Sequence, residues 1–193
     1  LAQAAFQRTL DIVEKTGDAP TKSVGLINLG VIAARLGKLG EAEHWYRQAL
    51  DLTEQVNDPF YMSLFRSYVA TALIEQGRLD EARPLLVQAF KISRSQHIGP
   101  CTAFALLALG HLHLTRALVS ELQNHASFAP GQGRVLRVSE HYLLRARTAL
   151  QRALASGGLE ADSALDAQLH LARIALLLGE REQALEVAER ALD

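Results

Sequence analysis

Residues 36–50, "LGKLGEAEHWYRQAL", decide the fold once residues 76–90, "QGRLDEARPLLVQAF", are laid beneath them. Gly37 falls on Gly77, Leu39 on Leu79, Glu41-Ala42 on Glu81-Ala82 and Ala49 on Ala89, an offset of 40 residues. Residues 178–192, "LGEREQALEVAERAL", carry the pattern again through Gly179, Ala184 and Ala191. In the other direction, Ala2–Asp18 superposes on Ala42–Asp58, with Phe6 on Tyr46, Leu10-Asp11 on Leu50-Asp51 and Asp18 on Asp58. The chain is an internal repeat, and its period defines the architecture before any single motif does.

Each unit reads as two helices. Residues 22–36, 62–76, 101–116 and 162–178 have helical periodicity, and each is followed by a second helical stretch. Glycines at 37, 77 and 179 stand where a first helix ends, as a left-handed cap requires. Ala42, Ala82 and Ala184, then Ala49, Ala89 and Ala191, recur seven apart within each second helix. They share one face and let the paired helix approach closely. The links "VNDPF" and "HIGP" are turn chemistry, in which Pro stops the helix and Asp or Gly favours the bend.

Composition agrees. The 193 residues are 49% hydrophobic but only 6% aromatic, Ala and Leu dominate, and only five prolines occur, which favours helix over sheet. Twenty basic residues against 21 acidic give no global attraction to nucleic acid or to a membrane. One cysteine, Cys101, excludes an internal disulfide framework and fits a reducing, cytoplasmic compartment. By the same reading no apolar run approaches the roughly 20 residues needed to cross a bilayer, and no secretory signal opens the chain. The start at Leu1 and the end within a helical pattern at Asp193 lead us to expect an excised piece of a longer protein.

The repeated small residue, Gly, Leu or Tyr, Ala, aromatic, Ala pattern resembles the tetratricopeptide repeat (TPR). The matching residues are Leu26, Leu29, Gly30, Gly37, Leu39, Ala42, Tyr46 and Ala49 in repeat one, and Val69, Ala70, Gly77, Leu79, Ala82, Leu86 and Ala89 in repeat two. Repeat four gives Leu171, Ala172, Gly179, Ala184 and Ala191, and departs at Arg181, where the family prefers an apolar residue. The resemblance implies an all-α superhelix of about nine helices in antiparallel hairpins. It divides the chain into an orphan second helix at 1–18 and repeats at 22–58, 62–97, 101–156 and 161–193. Common TPR units repeat at about 34 residues. The longer units here resemble the arrays of bacterial LuxR-like and antibiotic-regulatory-type transcriptional activators, and the predominance of Arg over Lys fits such a source.

The period breaks once. Twelve residues separate Gly30 from Ala42 and Ala70 from Ala82, but 36 separate the equivalent Gly110 and Ala146. The excess of 24 residues, an insertion at about 117–140, predicts two helices lengthened by two to three turns and joined by a tip near 127–132. Insertions in repeat proteins map to one face and often serve binding.

That tip, "APGQGR", does not make a phosphate loop. It lacks a preceding strand, a lysine and a following hydroxyl residue, and Pro130 with Gly131 reads as a turn. His111 and His113, two apart on a helix, point away from each other and cannot share a metal. His125 and His141 flank the tip and read as surface histidines. No serine stands in a nucleophile elbow. Acidic pairs such as Glu41/Glu43 and Asp80/Glu81 open second helices, where they complement the helix dipole. Six arginines at 116, 134, 137, 145, 147 and 152 face only Glu121 and Glu140. Without interleaved aromatics they read as a solvated face rather than a nucleic-acid surface. No enzyme, cofactor or metal site is expected.

The binding surface follows from the resemblance, in which first helices line a concave groove. Carried over, its residues are Val24, Ile27, Val31, Ala34 and Arg35 in repeat one and Leu64, Ser67, Thr71, Ile74 and Glu75 in repeat two. Repeat three adds Phe104, Leu107, His111, Leu114 and Thr115, and repeat four Asp166, Leu169, Arg173, Leu176 and Leu177. The set is mostly apolar, unlike the basic clamp with which chaperone-binding TPR domains hold acidic peptides. It suits an amphipathic helix, a segment of the same protein or self-association, unless the hairpins pack tightly enough to bury it. The function expected is a protein-docking module of a bacterial transcriptional activator. The alternative is an inducer sensor with a pocket between groove and inserted hairpin.

Overall fold

The computed structural model describes Arg8, Asp11, Lys15, residues 19–126 and residues 137–191. The remainder of the expected first element, the hairpin tip at 127–132 and Arg134 lie outside the described residues, as do the side chains of His125 and Arg137. Every regular element among the described residues is an α-helix: α1 (Ala19–Arg35), α2 (Leu39–Val56), α3 (Pro59–Glu75), α4 (Leu79–Ser95), α5 (Gly99–Ala126), α6 (Arg137–Ala155), α7 (Ala161–Leu178) and α8 (Arg181–Arg190). Helices α1 and α2, α3 and α4, and α7 and α8 pack as hairpins, with α2 against α3 and α6 against α7. The fold class is therefore all-α, an array of TPR-like hairpins. It comprises two compact units, Leu1–Cys101 and Thr102–Asp193.

In the first unit the chain turns on a few residues. Gly37 and Gly77 close α1 and α3 at φ of +75° and +77°, where a side chain would be strained. Beyond each glycine an amide reaches back to close the turn, Lys38 N–H to Ala33 O and Arg78 N–H to Leu73 O. The second helices end on residues other than glycine, with Asn57 at φ 52° and His97 at φ 56°. Asp58 starts α3 by accepting hydrogen bonds from the Phe60 and Tyr61 amides, and Pro59 fills the first helical position.

Close packing inside the hairpin follows the repeated small residues. A Cβ built on Gly30 would lie 2.2 Å from the Tyr46 ring, so only glycine admits this tyrosine. At the matching positions of repeat two stand Ala70 and a smaller Leu86, both fully buried. Ala42, Ala49, Ala82 and Ala89 are likewise fully buried, and Leu29, Phe65, Val69 and Leu73 fill the core beside them. Each large apolar side chain so buried contributes about 1.5–3 kcal/mol. Thr53 and Ser93 are buried without cost to hydrogen bonding, because each hydroxyl donates to a carbonyl three residues earlier.

The second unit repeats that crossing across the insertion. A Cβ on Gly110 would lie 2.6 Å from Leu150, so Gly110 and Leu150 stand to one another as Gly30 and Tyr46 do. Helix α5 has 28 residues against 17 in α3. One sequence expectation needs correcting here. Gly99–Gln123, within α5, is long and apolar enough to cross a membrane by length and composition, with a mean hydropathy of 1.3. Its apolar character has a local explanation, because half of that window is buried inside the protein, where Ala103, Ala105, Leu112 and Ala117 pack.

Candidate functional site

In each unit the candidate surface is the outward side of its own first helices, α1 and α3 in one and α5 and α7 in the other, and burial sorts the expected residues. On α1, Val24 and Arg35 are exposed and Val31 is half-buried; on α3, Glu75 is exposed while Leu64 and Thr71 are half-buried. On α5, Phe104 and His111 are half-buried, and on α7 Leu169 and Arg173 are exposed. Ile27, Ser67, Leu107 and Leu114 are buried, and so is Ile74. These five are core residues, a correction with a simple cause. A helix face is about 100° wide, and its flanks are covered as soon as a neighbouring helix packs beside it. Ser67 is spent internally as well, donating to Ser63 O at 3.0 Å.

Sequence reasoning also missed residues that the outward faces do carry. Asn28 lies exposed on α1 between Val24 and Arg35, and Leu165 lies exposed on α7. With Leu165 added, α7 presents Leu165, Leu169, Leu176 and Leu177, all exposed, with Arg173 among them. The 3–4 residue spacing that marks a core-facing stripe is here turned to solvent. The signal was present in "LDAQLHLARIALLL", which is apolar on too many sides for one partner helix to cover.

Beside that stripe stands a histidine pair. The His111 ring on α5 lies 5.2 Å from the His170 ring on α7, and His170 reaches Asp166 at 3.7 Å. Burial, first, and then the neighbouring His170 and Arg173 hold His111 below the usual histidine range, against the opposing pull of Asp166. At neutral pH this histidine is therefore an uncharged group in a half-buried position. Elsewhere on α5 and α6, His113 stacks on Tyr142 with ring centroids 6.2 Å apart, and Arg116 lies over the same tyrosine at 6.0 Å. Among the described residues no group of three or more His, Cys, Asp or Glu side chains could hold a metal ion. Cys101 is buried, and its thiol donates to Phe60 O at 3.7 Å.

In the first unit the buried Tyr46 of α2 lies beside Tyr68 of α3. The two tyrosine rings lie 5.3 Å apart. Burial, with smaller contributions from Tyr68 and Glu75, pushes the Tyr46 hydroxyl far above its ordinary value, and partial desolvation of the carboxyl raises Glu75, although the residue as a whole is exposed. Nothing here assembles a nucleophile with a base. A cavity of about 30 Å³ in the second unit, lined by Arg147, Gln151, Leu171, Ala175, Gln183 and Val187, has room for a water molecule.

Comparison with known proteins agrees with this geometry. Residues 1–55 and residues 66–95 each match a tetratricopeptide repeat family profile. The chain thus carries tetratricopeptide repeats. Its fold is similar to the crystal structure of a Podosopora anserina kinesin-light-chain protein with nearly identical TPR-like repeats. That match has a TM-score of 0.59 and 18% identity, covering 98% of this chain and 85% of the other. BtubC (BKLC) from P. vanneervenii matches with a TM-score of 0.47 and 16% identity, covering 98% of this chain and 86% of its own. No curated protein matches the chain in sequence. Tetratricopeptide repeats are generally non-enzymatic scaffolds for protein–protein interaction.

Proposed function

We propose that the second unit docks an amphipathic helical segment of a partner protein against the outward face of α7. The observation that carries this reading is the exposed stripe Leu165, Leu169 and Leu176 on α7, with Arg173 within it. Isolated exposed leucines are ordinary, but a contiguous row at helical spacing marks an interaction surface. A helix presenting its own apolar positions three and four apart would cover the row, and an acidic residue among them would meet Arg173. The uncharged His111, packed on His170 of α7, adds no charge beside the row at neutral pH.

Peptides selected from a displayed random library against the folded chain test this directly. The expected outcome is a set of amphipathic helical sequences whose binding protects amides of α7 from hydrogen exchange. Protection confined to the second helices α2, α4 and α8 would contradict the proposal.

The activator context is a further proposal that rests on the repeat length of about 40 residues and the Arg-rich composition. A cytoplasmic, bacterial parent belongs to the same proposal. Sequencing the coding region on either side tests it, with a nucleotide-binding or helix-turn-helix segment as the expected neighbour.

A further inference from the structure

Two ion pairs occupy the same place in the repeat with their charges exchanged. In the first unit, Glu43 follows the buried Ala42 of α2 and receives Arg78 Nη1 at 2.6 Å, where Arg78 follows the left-handed Gly77 of the next hairpin. In the second unit, Arg147 follows the buried Ala146 of α6 and donates to Glu180, which follows the left-handed Gly179 of the next hairpin. The position is the same, the polarity opposite. Glu43 is held on both oxygens, by Arg47 Nε at 2.8 Å on one and by Gln76 Nε2 at 3.0 Å with Arg78 on the other.

We propose that this reversed polarity fixes which hairpin stacks behind which, and so prevents the chain from exchanging hairpins with a second copy of itself. In backbone terms the two junctions offer the same fit. Helices α2 and α6 both present a fully buried alanine followed by a long charged side chain, and hairpins α3–α4 and α7–α8 both answer with a positive-φ glycine followed by another. Misassembly between like repeats is the characteristic failure of such arrays. Charge removes the ambiguity. With α7–α8 seated behind α2, Glu180 would face Glu43, and with α3–α4 behind α6, Arg78 would face Arg147. Each wrong seating replaces an attraction by a repulsion between partly buried groups. Such pairs add little to stability, yet the difference between attraction and repulsion discriminates partners effectively.

Refolding the chain from denaturant at high protein concentration and measuring the dimer fraction by light scattering tests the idea. Arg147→Glu alone lowers the thermal midpoint, because it sets two carboxylates together. The double variant Arg147→Glu/Glu180→Arg restores the pair and the midpoint but gives both junctions one polarity. Its dimer fraction should rise about tenfold over the unchanged chain, a factor equivalent to about 1.4 kcal/mol of lost discrimination. The mirrored set Glu43→Arg/Arg78→Glu, made with Arg47→Glu and Glu81→Arg to keep the pairs those two residues form within their own hairpins, should show the same rise. Combining the mirrored set with the first double makes the polarities opposite again and should return the dimer fraction to its starting level. Dimer fractions in the double and in the mirrored set equal to that of the unchanged chain would overturn the proposal. So would an excess that persists in the combination.

Discussion

Gly30 and Tyr46 are in contact so close that a single added methyl on Gly30 would sit 2.2 Å from the tyrosine ring. This pair sets the distance between the first and second helices of repeat one. Its counterparts are Ala70 with Leu86, and Gly110 with Leu150. In each case the first-helix residue is one of the two smallest side chains, glycine or alanine.

The substitution Gly30→Ala should therefore destabilise the first unit by roughly 1–3 kcal/mol, the usual cost of overpacking a filled core. Adding Tyr46→Leu recreates the Ala–Leu combination of repeat two and should recover much of the loss. Denaturant unfolding of the two single variants and the double checks this through the coupling between them. Additive effects would mean that the contact does not set the crossing.

Glu43 makes part of the stability depend on acid. Burial raises its carboxyl pKa, but the hydrogen bonds of Arg47 and Gln76 and the charges of Arg47 and Arg78 prevail and hold it below the ordinary value of 4.5. The folded chain thus binds the proton less readily than the unfolded one. Its contribution is complete above about pH 4.5 and is lost as pH falls through the folded value. Glu43→Gln should lower the thermal midpoint by a few degrees at pH 7 and flatten its decline between about pH 5 and 3. Calorimetry across that range measures both.

His111 acts in the same direction at milder pH. Its folded pKa is lowered from 6.5, chiefly by burial and then by His170, so the unfolded chain takes up the proton first. Stability is then full above about pH 6.5 and declines as pH falls below it, until the folded form also titrates. Replacing His111 by Gln should remove this decline while leaving the one from Glu43. The imidazole proton resonances of His111 followed by NMR should titrate below the range of an exposed histidine.

His97 holds a left-handed conformation at φ 56°, where a side chain is disfavoured by roughly 1 kcal/mol. His97→Gly should raise the unfolding free energy by somewhat less than that, because glycine also gains freedom in the unfolded chain. Asn57→Gly at φ 52° should gain less, since asparagine tolerates this region better than histidine. Parallel thermal melts of the two variants rank them.

Much of the fold could be read from spacing, because close helix crossings demand small residues and a repeat places them periodically. Gly110 was paired with Ala146 across a 24-residue break by that logic alone. Burial at the edge of each helix face was not legible. Ile27, Ser67, Leu107 and Leu114 share a helix side with Val24 and Leu169, and only the packing of neighbouring helices separates core from surface. The exchanged charges are illegible in the sequence for another reason. Glu43 and Arg78 belong to different repeats, and nothing local to either residue marks it as a partner. Aligning position 43 with 147 and position 78 with 180 would have exposed the exchange. The apolar length of α5 was not legible as a continuous run either, because His111, His113 and Arg116 interrupt a segment that is apolar on average.

The docking account rests on the outward leucines of α7, and one binding measurement addresses it most directly. Leu169 and Leu185 are both exposed, at 51% and 62%, but Leu169 lies on the first-helix face and Leu185 on α8. Arginine at either position leaves the core untouched, whereas Leu107→Arg, at 8% exposure, would report on folding. With a library-selected helical peptide titrated by calorimetry, Leu169→Arg should weaken binding at least tenfold, as expected for a central apolar anchor. Leu185→Arg should leave the affinity unchanged. Equal affinities for Leu169→Arg and the unchanged chain, in variants with unaltered thermal midpoints, would contradict the account.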